Sequence, residues 1–157
     1  MRGIEIVMLN TGDLARLCAV TPGLFDDDIR PDQAAAFLAD PMNLCVLAYD
    51  GAEAVGMVTG TILRHPDKTP TLFVNEVGTR EGWMRQGIAT ALMNRMRAEA
   101  LARGCEGAWL GTEAENEVAQ SFYRSLGAEE LDGVFYGFDG AFSDDEDEDE
   151  MPEDRTR

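Results

Sequence analysis

Apolar residues recur at intervals of three and four along the stretch of chain that follows Gly87. The members of this pattern are Ile88, Leu92, Met93, Met96, Ala100 and Leu101. Such spacing places side chains on one face of an α-helix, and Gly104 follows at a position where a left-handed residue commonly ends a helix. The pattern therefore predicts an amphipathic helix over about residues 85–103.

Strand-like segments flank this helix on both sides. Residues 71–79 and 108–112 contain β-branched and aromatic side chains, which favour strands. The order strand, helix, strand predicts a right-handed βαβ crossover with two parallel strands. A second helix is predicted from about residue 115 to Gly127, because an apolar face recurs there at helical spacing. That face comprises Val118, Ala119, Phe122, Tyr123 and Leu126.

The rest of the chain alternates between short strands and short helices. In chain order we expect a strand at 3–9, a helix capped by Thr11 or Asp13 and running to Val20, a helix from Pro31 to about Asp40, a hairpin of strands 44–49 and 54–64, and a last strand at 134–138. Proline at the first helical position and a glycine-containing turn between the hairpin strands support these boundaries. No internal repeat is visible.

The start of the helix over 85–103 has a chemical property that packing does not explain. Its first backbone N–H groups have no intrahelical partner, and the helix dipole is positive at this end. Gly87 would let the backbone approach an anion closely, so this turn suits a phosphate group. A tight turn without any ligand explains the same glycine, and both interpretations stay open at this point.

Two motifs in this order resemble the GNAT acyltransferase superfamily, over about residues 4–138. The segment Met84-Arg85-Gln86-Gly87-Ile88-Ala89 resembles the pyrophosphate loop Arg/Gln-x-x-Gly-x-Gly/Ala. The later helix resembles Asn-x-x-Ala-x-x-(Phe/Leu)-Tyr-x-x-x-Gly-Phe, with Asn116, Ala119, Phe122, Tyr123 and Gly127 on the matching positions. The chain departs from the family at Met84, which replaces Arg or Gln, and at Ala128, which replaces an aromatic residue.

The resemblance implies an α/β (α+β) fold, with a central mixed, largely antiparallel twisted sheet that is flanked by about four helices and splayed at its central strands. It also implies acetyl-CoA as co-substrate, and no metal. The implied coenzyme-binding residues are Val77, Gly78, Thr79, Met84, Arg85, Gln86, Gly87, Ile88, Ala89, Thr90, Asn116, Ala119 and Phe122. Arg80, Arg85 and Arg124 are candidate cations for the anionic coenzyme.

The implied reaction moves an acetyl group to a primary amine by direct attack in a ternary complex. An alkylammonium has a pKa of about 10.4, so a base must remove a proton before attack. Glu76 on the strand 71–79 is the candidate base, and pairing with a cationic substrate is an equal alternative. Tyr123 matches the family's general acid, unless it only packs the pantetheine arm. A backbone N–H near Val77 is the candidate for the oxyanion.

The acceptor is suggested by a narrower resemblance. Residues 24–28, 37–41 and 75–77 are similar to the aminoglycoside 3-N-acetyltransferase branch. Asp26, Asp27 and Asp28, with Glu76, are then candidate substrate-binding residues for an aminoglycoside- or polyamine-like amine, and a solvated acidic loop is the alternative. Two other classes of protein stay open, namely an acyl-CoA-binding sensor without catalysis and an interaction protein that acts through an acidic tail.

The net charge of −17 over 157 residues is unevenly distributed. Residues 144–157 hold −7, because they contain nine acidic residues and two arginines, and the rest of the chain holds −10. This negative charge disfavours nucleic acid as a partner and favours cationic substrates. We expect one acetyltransferase domain over 1–142 and a disordered acidic tail over 143–157, which serves solubility or an interaction.

Cysteine and histidine content narrows the chemistry further. Cys18, Cys45 and Cys105 show no paired spacing, and His65 is the single histidine, so we expect buried free thiols and neither a catalytic cysteine nor a zinc site. No apolar run of 18 residues and no targeting pattern occurs in the sequence. We therefore expect a cytoplasmic protein that binds no membrane, and a homodimer is compatible with this description.

Overall fold

The computed structural model describes residues 3–138 and residue 140. Its strands are β1 (Ile4–Met8), β2 (Asn43–Asp50), β3 (Glu53–Leu63), β4 (Thr71–Thr79) and β5 (Ala108–Trp109), and its helices are α1 (Leu14–Cys18), α2 (Pro31–Ala39), α3 (Ile88–Ala102) and α4 (Glu117–Ser125). The strands form one sheet in the order β1-β2-β3-β4-β5. The first four pair antiparallel, and β5 pairs parallel to β4. The expected mixed, largely antiparallel sheet and its flanking helices are confirmed.

Helices cover both faces of this sheet. Successive side chains of a strand point to opposite faces, so Val46 is buried on the α3 side, whereas the adjacent Leu47 is buried on the α1 and α2 side. Leu92 and Met96 of α3 are fully buried in the first of these two cores. The sheet therefore separates two apolar layers, and each layer carries its own helices.

The boundaries of α3 follow from backbone conformation. Arg85 and Gly87 have φ values of +61° and +80°, which are incompatible with a right-handed helix, so α3 begins at Ile88 and not near residue 85. Gly104 has φ +88° and ends the helix as predicted. Leu101 is 74% exposed, since its position on the helix lies far from the stripe of Ile88, Leu92 and Met96.

The C-terminal part of the fold differs most from the prediction. The strand expected at 108–112 has only two residues, and the strand expected at 134–138 does not form. A strand needs a partner with which to exchange hydrogen bonds, and the two-residue β5 offers a very short edge. Val134, Phe135 and Tyr136 are exposed as a result. In α4, Phe122 and Leu126 pack against the α3-side core as expected, but Val118 is exposed.

A β-bulge in β4 decides which of its side chains faces which layer. Gly60 of β3 lies opposite Val74, and the adjacent Thr59 lies opposite Glu76, so Asn75 is an extra residue in β4. Before the bulge, Leu72 and Val74 point to the α3 side. After it the alternation is reversed, because Val77 packs on the α3 side and Glu76 faces α2.

Two smaller expectations concern the cysteines and membranes. Cys45 and Cys105 are buried free thiols, but Cys18 is exposed, because it lies at the end of the short helix α1. Within residues 3–138 and 140, no helix is both long enough and apolar enough to span a bilayer. The acidic tail and its boundary near residue 143 lie outside the described residues.

Candidate active site

The loop before α3 has the backbone conformation of an anion-binding turn. Arg85 and Gly87 are left-handed, and turns of this kind bring successive N–H groups to one side of the chain. Gly87 is also the N-cap of α3, and no side chain caps this end of the helix. A Cβ atom added at Gly87 would meet no atom within 4 Å, so the space in front of the turn is open.

The N–H groups of the first turn of α3 are available to a ligand. Within the described part of the chain, nothing accepts a hydrogen bond from the backbone N–H of Gly87, Ile88, Ala89 or Thr90. The first intrahelical bond at this end runs from Ala91 N–H to Gly87 C=O, at 3.0 Å. Four unpaired donors at the positive end of a helix fit the pyrophosphate of a coenzyme.

A second group of free donors lies along β4. Arg80 N–H donates to Val55 C=O at 2.8 Å, and hydrogen-bonded pairs alternate along an antiparallel ladder. The N–H groups of Val77 and Thr79 therefore point away from β3, towards the other edge of β4. On that edge β5 pairs only with Leu72 and Phe73, so it does not reach Val77 or Thr79. Among the described residues, the part of β4 after Phe73 therefore has no partner strand on this edge.

Thr79 adds a side-chain group to the same region. Its Oγ1 is buried and has no hydrogen-bond partner among the described residues. A buried hydroxyl without a partner is unfavourable, which fits a ligand that supplies the partner. The residues implied as coenzyme-binding at 77–79 and 84–90 thus lie at the end of β4 and the start of α3, which adjoin in the fold.

Interactions outside the loop hold it in place. Trp83 Nε1 donates to Asp50 Oδ2 at 2.8 Å, which ties the segment before the loop to the end of β2. Val77, Trp83 and Phe122 all pack against the α3-side core. Asn116 Oδ1 accepts a hydrogen bond from Ala119 N–H at 3.0 Å, so Asn116 caps α4. This cap gives the motif asparagine a structural role that the sequence resemblance does not reveal.

Arg80 corrects one expectation about charge. Its guanidinium donates to the carbonyl oxygens of Ala54, Thr21 and Pro22 at 2.8, 2.8 and 3.0 Å. The side chain therefore joins the end of β4 to the segment that leads into the acidic loop, and it is not a free cation for a coenzyme. Arg85 is exposed beside the anion-binding turn and remains available for that role.

The opposite face of β4 forms an acidic cleft of about 380 Å³. Its walls come from the loop before α2, from α2 and from the sheet. Among its lining residues are Asp27, Asp28, Phe37, Cys45, Asn75 and Glu76. Two of the three predicted loop aspartates therefore line the same cleft as Glu76. The third, Asp26, contacts Glu76 directly.

Glu76 has the properties of a base that works near neutral pH. Burial, a hydrogen bond with the Asp26 carboxyl group and the charge of Asp26 raise the pKa of Glu76 to about 7. A general base is most effective when its pKa lies near the working pH. Because the bulge at Asn75 turns Glu76 into the cleft, this carboxyl group lies on the face of β4 that is opposite α3.

Two other candidate groups, Cys45 and Tyr123, are protonated at neutral pH. Burial, with the charge of Glu76, raises the pKa of the Cys45 thiol to about 12, so this cysteine is no nucleophile. Burial also raises the pKa of Tyr123, so its phenol keeps the proton that a general acid must donate. Within the described residues, no group of three or more histidine, cysteine or carboxylate side chains could hold a metal ion.

The chain belongs to the acetyltransferase (GNAT) family, whose family model matches residues 13–128. It is an acyltransferase. The sequence resemblance to this superfamily is thereby confirmed.

Solved structures with the same fold include several aminoglycoside acetyltransferases. One, from an uncultured soil metagenomic sample and in complex with sisomicin, is 20% identical with a TM-score of 0.73, and the match covers 87% of this chain and 96% of that one. AAC(6′)-Iy in complex with a bisubstrate analogue, CoA-S-monomethyl-acetylneamine, is 18% identical with a TM-score of 0.73, covering 86% and 97%. A ribosomal-protein-alanine N-acetyltransferase from Brucella melitensis biovar Abortus 2308 is 20% identical with a TM-score of 0.67, covering 86% and 97%. At these identities the likeness establishes the fold.

Proposed function

We propose that this protein transfers an acetyl group from acetyl-CoA to a primary amine of a small polycationic acceptor, of the aminoglycoside or polyamine class. The observation that carries the proposal is the position of Glu76. The β4 bulge turns this carboxylate into an acidic cleft, on the face of the same strand that lies opposite α3 and its anion-binding turn. A coenzyme and an acceptor that approach β4 from its two sides meet at Glu76.

The coenzyme is held mainly by backbone groups. The N–H groups at the start of α3 bind the pyrophosphate, and the exposed side chain of Arg85 adds a positive charge. Acetyl-CoA supplies the activated acyl group as its thioester. The pantetheine arm lies along the edge of β4 beyond its pairing with β5, where Val77 and Thr79 present free N–H groups. These donors explain why Met84 in place of the usual Arg or Gln is compatible with coenzyme binding.

The chemistry then proceeds by direct attack. Glu76 accepts a proton from the acceptor ammonium, and the neutral amine forms a C–N bond to the thioester carbon. The negative charge that develops on the carbonyl oxygen is stabilised by the Val77 N–H. Collapse of this intermediate breaks the C–S bond, and the nitrogen gives up its second proton to solvent as the amide forms. The Tyr123 phenol protonates the departing thiolate and regains a proton from solvent. The elevated pKa of Cys45 supports this route over an acyl-cysteine intermediate.

The charge of the cleft supports a polycationic acceptor. Asp27 and Asp28 line the cleft beside Glu76, and Asp26 contacts Glu76, whereas the cation Arg30 in the same lining pairs with Asp32 at 3.1 Å. The part of the chain before residue 144 carries a net charge of −10, which attracts cations over longer distances. The structural neighbours crystallised with an aminoglycoside or with an aminoglycoside-containing analogue are compatible with this class of acceptor.

A thiol-release assay tests the proposal. Acetyl-CoA is incubated with the protein and, in separate reactions, with polyamines, aminoglycosides, amino acids and peptides that have free N-termini. We expect CoA release to depend on a polyamine or aminoglycoside and to exceed the release measured without acceptor. Turnover restricted to peptide N-termini would contradict the acceptor class. Binding of acetyl-CoA without turnover of any amine would favour an acyl-CoA sensor instead.

A further inference from the structure

Three polar side chains form a hydrogen-bonded row across the cleft face of the sheet. Asn75 Nδ2 on β4 donates to Thr61 Oγ1 on β3 at 3.1 Å. Thr61 Oγ1 donates to Asn43 Oδ1 on β2 at 3.2 Å, and Asn43 Nδ2 donates to the Phe37 C=O of α2 at 3.3 Å. The row therefore connects the bulge in β4 to the last turn of α2.

The chemistry of the groups determines the direction of every bond in this row. The Phe37 carbonyl can only accept, so Asn43 must present its NH₂ group to α2 and its oxygen to Thr61. The Thr61 hydroxyl must then donate to that oxygen, and its own lone pairs remain for a donor. Asn75 supplies that donor with its NH₂ group. Its carbonyl oxygen is consequently the end of the amide that faces away from Thr61.

The Asn75 side chain belongs to the same cleft as the proposed base, Glu76. Asn75 and Glu76 both line the cleft, although neighbours in a regular strand point to opposite faces, because Asn75 is the bulged residue. Asn75 is an exposed residue and its NH₂ group is bonded to Thr61, so the carbonyl oxygen is the group of this amide that remains for a ligand. Consecutive Cα atoms lie about 3.8 Å apart. Two hydrogen-bond acceptors on neighbouring residues thus suit two donors on one small molecule.

We propose that the Asn75 carbonyl oxygen is a specificity-determining acceptor that selects amines with a hydroxyl group about two carbons from the reacting nitrogen. Amino alcohols and amino sugars meet this description, whereas simple alkylamines do not. Thr61 and Asn43 are positioning residues, because they act only by holding the Asn75 amide in one orientation. This inference rests on the proposed function and narrows its class of acceptor.

Two diamines that differ in one hydroxyl group measure the selection. 1,3-Diaminopropan-2-ol and 1,3-diaminopropane carry the same two amines, and each is titrated calorimetrically into the protein in the presence of CoA, which has no acetyl group to transfer. One hydrogen bond of ordinary strength corresponds to about a 3- to 10-fold preference for the hydroxylated compound. Comparing each preference with that of the wild type cancels the difference in amine basicity between the two compounds.

Three variants separate the roles of the residues. In Asn75→Ala we expect the preference seen in the wild type to disappear. In Thr61→Val it should shrink, since the Asn75 amide is then free to turn. Thr71→Val makes the same substitution at the other end of β4, outside the cleft, and should keep the full preference. Melting temperatures of all variants show whether each is folded.

The outcomes distinguish this inference from the proposed function. An unchanged preference in Asn75→Ala, or no binding of either diamine by the wild type, would overturn the inference. The wild type could prefer the hydroxylated diamine and Asn75→Ala lose this preference, while no thiol is released from acetyl-CoA. That result would support the inference and refute the proposed function. Thiol release with equal affinity for both diamines would refute the inference alone.

Discussion

The two sides of β4 are built from different kinds of chemical group. On the α3 side, the donors are backbone N–H groups at the start of α3 and at Val77 and Thr79. On the α2 side, the cleft presents side chains, above all Glu76 and Asn75. We therefore expect coenzyme binding to depend on backbone conformation and to tolerate Met84, and acceptor binding to depend on residue identity. Substitutions on the two sides should consequently have different and separable effects.

Gly87→Glu should have the largest effect, because it acts on the backbone side. The variant places a carboxylate where the coenzyme phosphates bind, on a residue whose φ of +80° disfavours any side chain. Acetyl-CoA at about 100 times its dissociation constant should stabilise the wild type by about 2.7 kcal/mol, and the variant not at all. Gly104→Glu is the matched control, since Gly104 has φ +88° at the opposite end of α3. A normal melting shift in Gly87→Glu would contradict the coenzyme site.

Glu76→Gln should have the next largest effect, because it removes the base. We expect kcat/KM for the amine to fall by roughly 10²- to 10⁴-fold. In the wild type, kcat/KM should rise through about pH 7, where Glu76 loses its proton, and the variant should lack this rise. Glu106→Gln alters an exposed carboxylate and is the control. A variant that keeps both its activity and its pH profile would leave Glu76 without a role as base.

The same substitution has a defined effect on stability. The pKa of Glu76 is higher in the folded protein than its ordinary value of 4.5, so the folded state holds this proton longer than the unfolded state. The stabilisation is therefore present below pH 4.5 and is lost as the pH rises to about 7. As the pH rises through this range, the wild type loses the stabilisation and Glu76→Gln does not. The melting temperature of the variant should therefore rise relative to that of the wild type. A constant difference would contradict the raised pKa.

Tyr123→Phe should have a smaller effect than loss of the base. Its hydroxyl protonates the CoA thiolate, and a thiolate is a good leaving group even without a general acid. We therefore expect kcat to fall by roughly 10²-fold or less. The KM for acetyl-CoA should stay nearly unchanged, since the ring is kept. Tyr136→Phe, at an exposed tyrosine, is the control. Unchanged kcat in Tyr123→Phe would show that Tyr123 only packs against the coenzyme.

The acidic loop should contribute moderately, through acceptor capture. The screening length falls from about 10 Å at 0.1 M to about 3 Å at 1 M ionic strength, so kcat/KM for a polycation should fall with salt mainly through KM. The double variant Asp26→Asn with Asp27→Asn should show much of this loss at low salt. It should also move the rise in activity below pH 7, because these carboxylates raise the pKa of Glu76. Asp67→Asn is the control. Wild-type kinetics in the double variant would show that the loop is only solvated surface and does not bind the acceptor.

Removal of residues 144–157 should have the smallest effect. The segment contains nine acidic residues and a single large apolar residue, Met151, so it can add little to a core. Truncation should leave the melting temperature and the turnover of acetyl-CoA unchanged, which scanning calorimetry and the thiol assay measure. A fall of many degrees on truncation would show that the tail docks on the domain.

The difference between the two sides also explains what the sequence could predict. Gly87, Ala89 and the apolar stripe of α3 are close together in the chain, so their pattern indicates a coenzyme loop without any tertiary information. Glu76 was identifiable as a polar residue in a strand, but regular alternation from Leu72 and Val74 would place it on the α3 side. Only the pairing of β4 with β3 reveals the extra residue at Asn75, which turns the Glu76 side chain to the α2 side of the sheet.

Long-range pairing likewise accounts for what the sequence did not reveal. Asn43, Thr61 and Asn75 come together because three strands pair in one register, and no local pattern relates them. Arg80 was expected to contact the coenzyme because of its charge, but it holds Thr21 and Pro22 instead. The predicted strand at 134–138 failed for a related reason, since alternation does not supply a neighbouring strand.

A reciprocal pair of titrations tests the central claim most directly. Wild type, Gly87→Glu and Glu76→Gln are each titrated with CoA and, separately, with the best amine from the thiol-release assay. If the two sides of β4 bind different ligands, Gly87→Glu loses CoA and keeps the amine, whereas Glu76→Gln keeps CoA and binds the amine more weakly. Loss of both ligands by one folded variant, or unchanged binding of CoA by Gly87→Glu, would contradict the account.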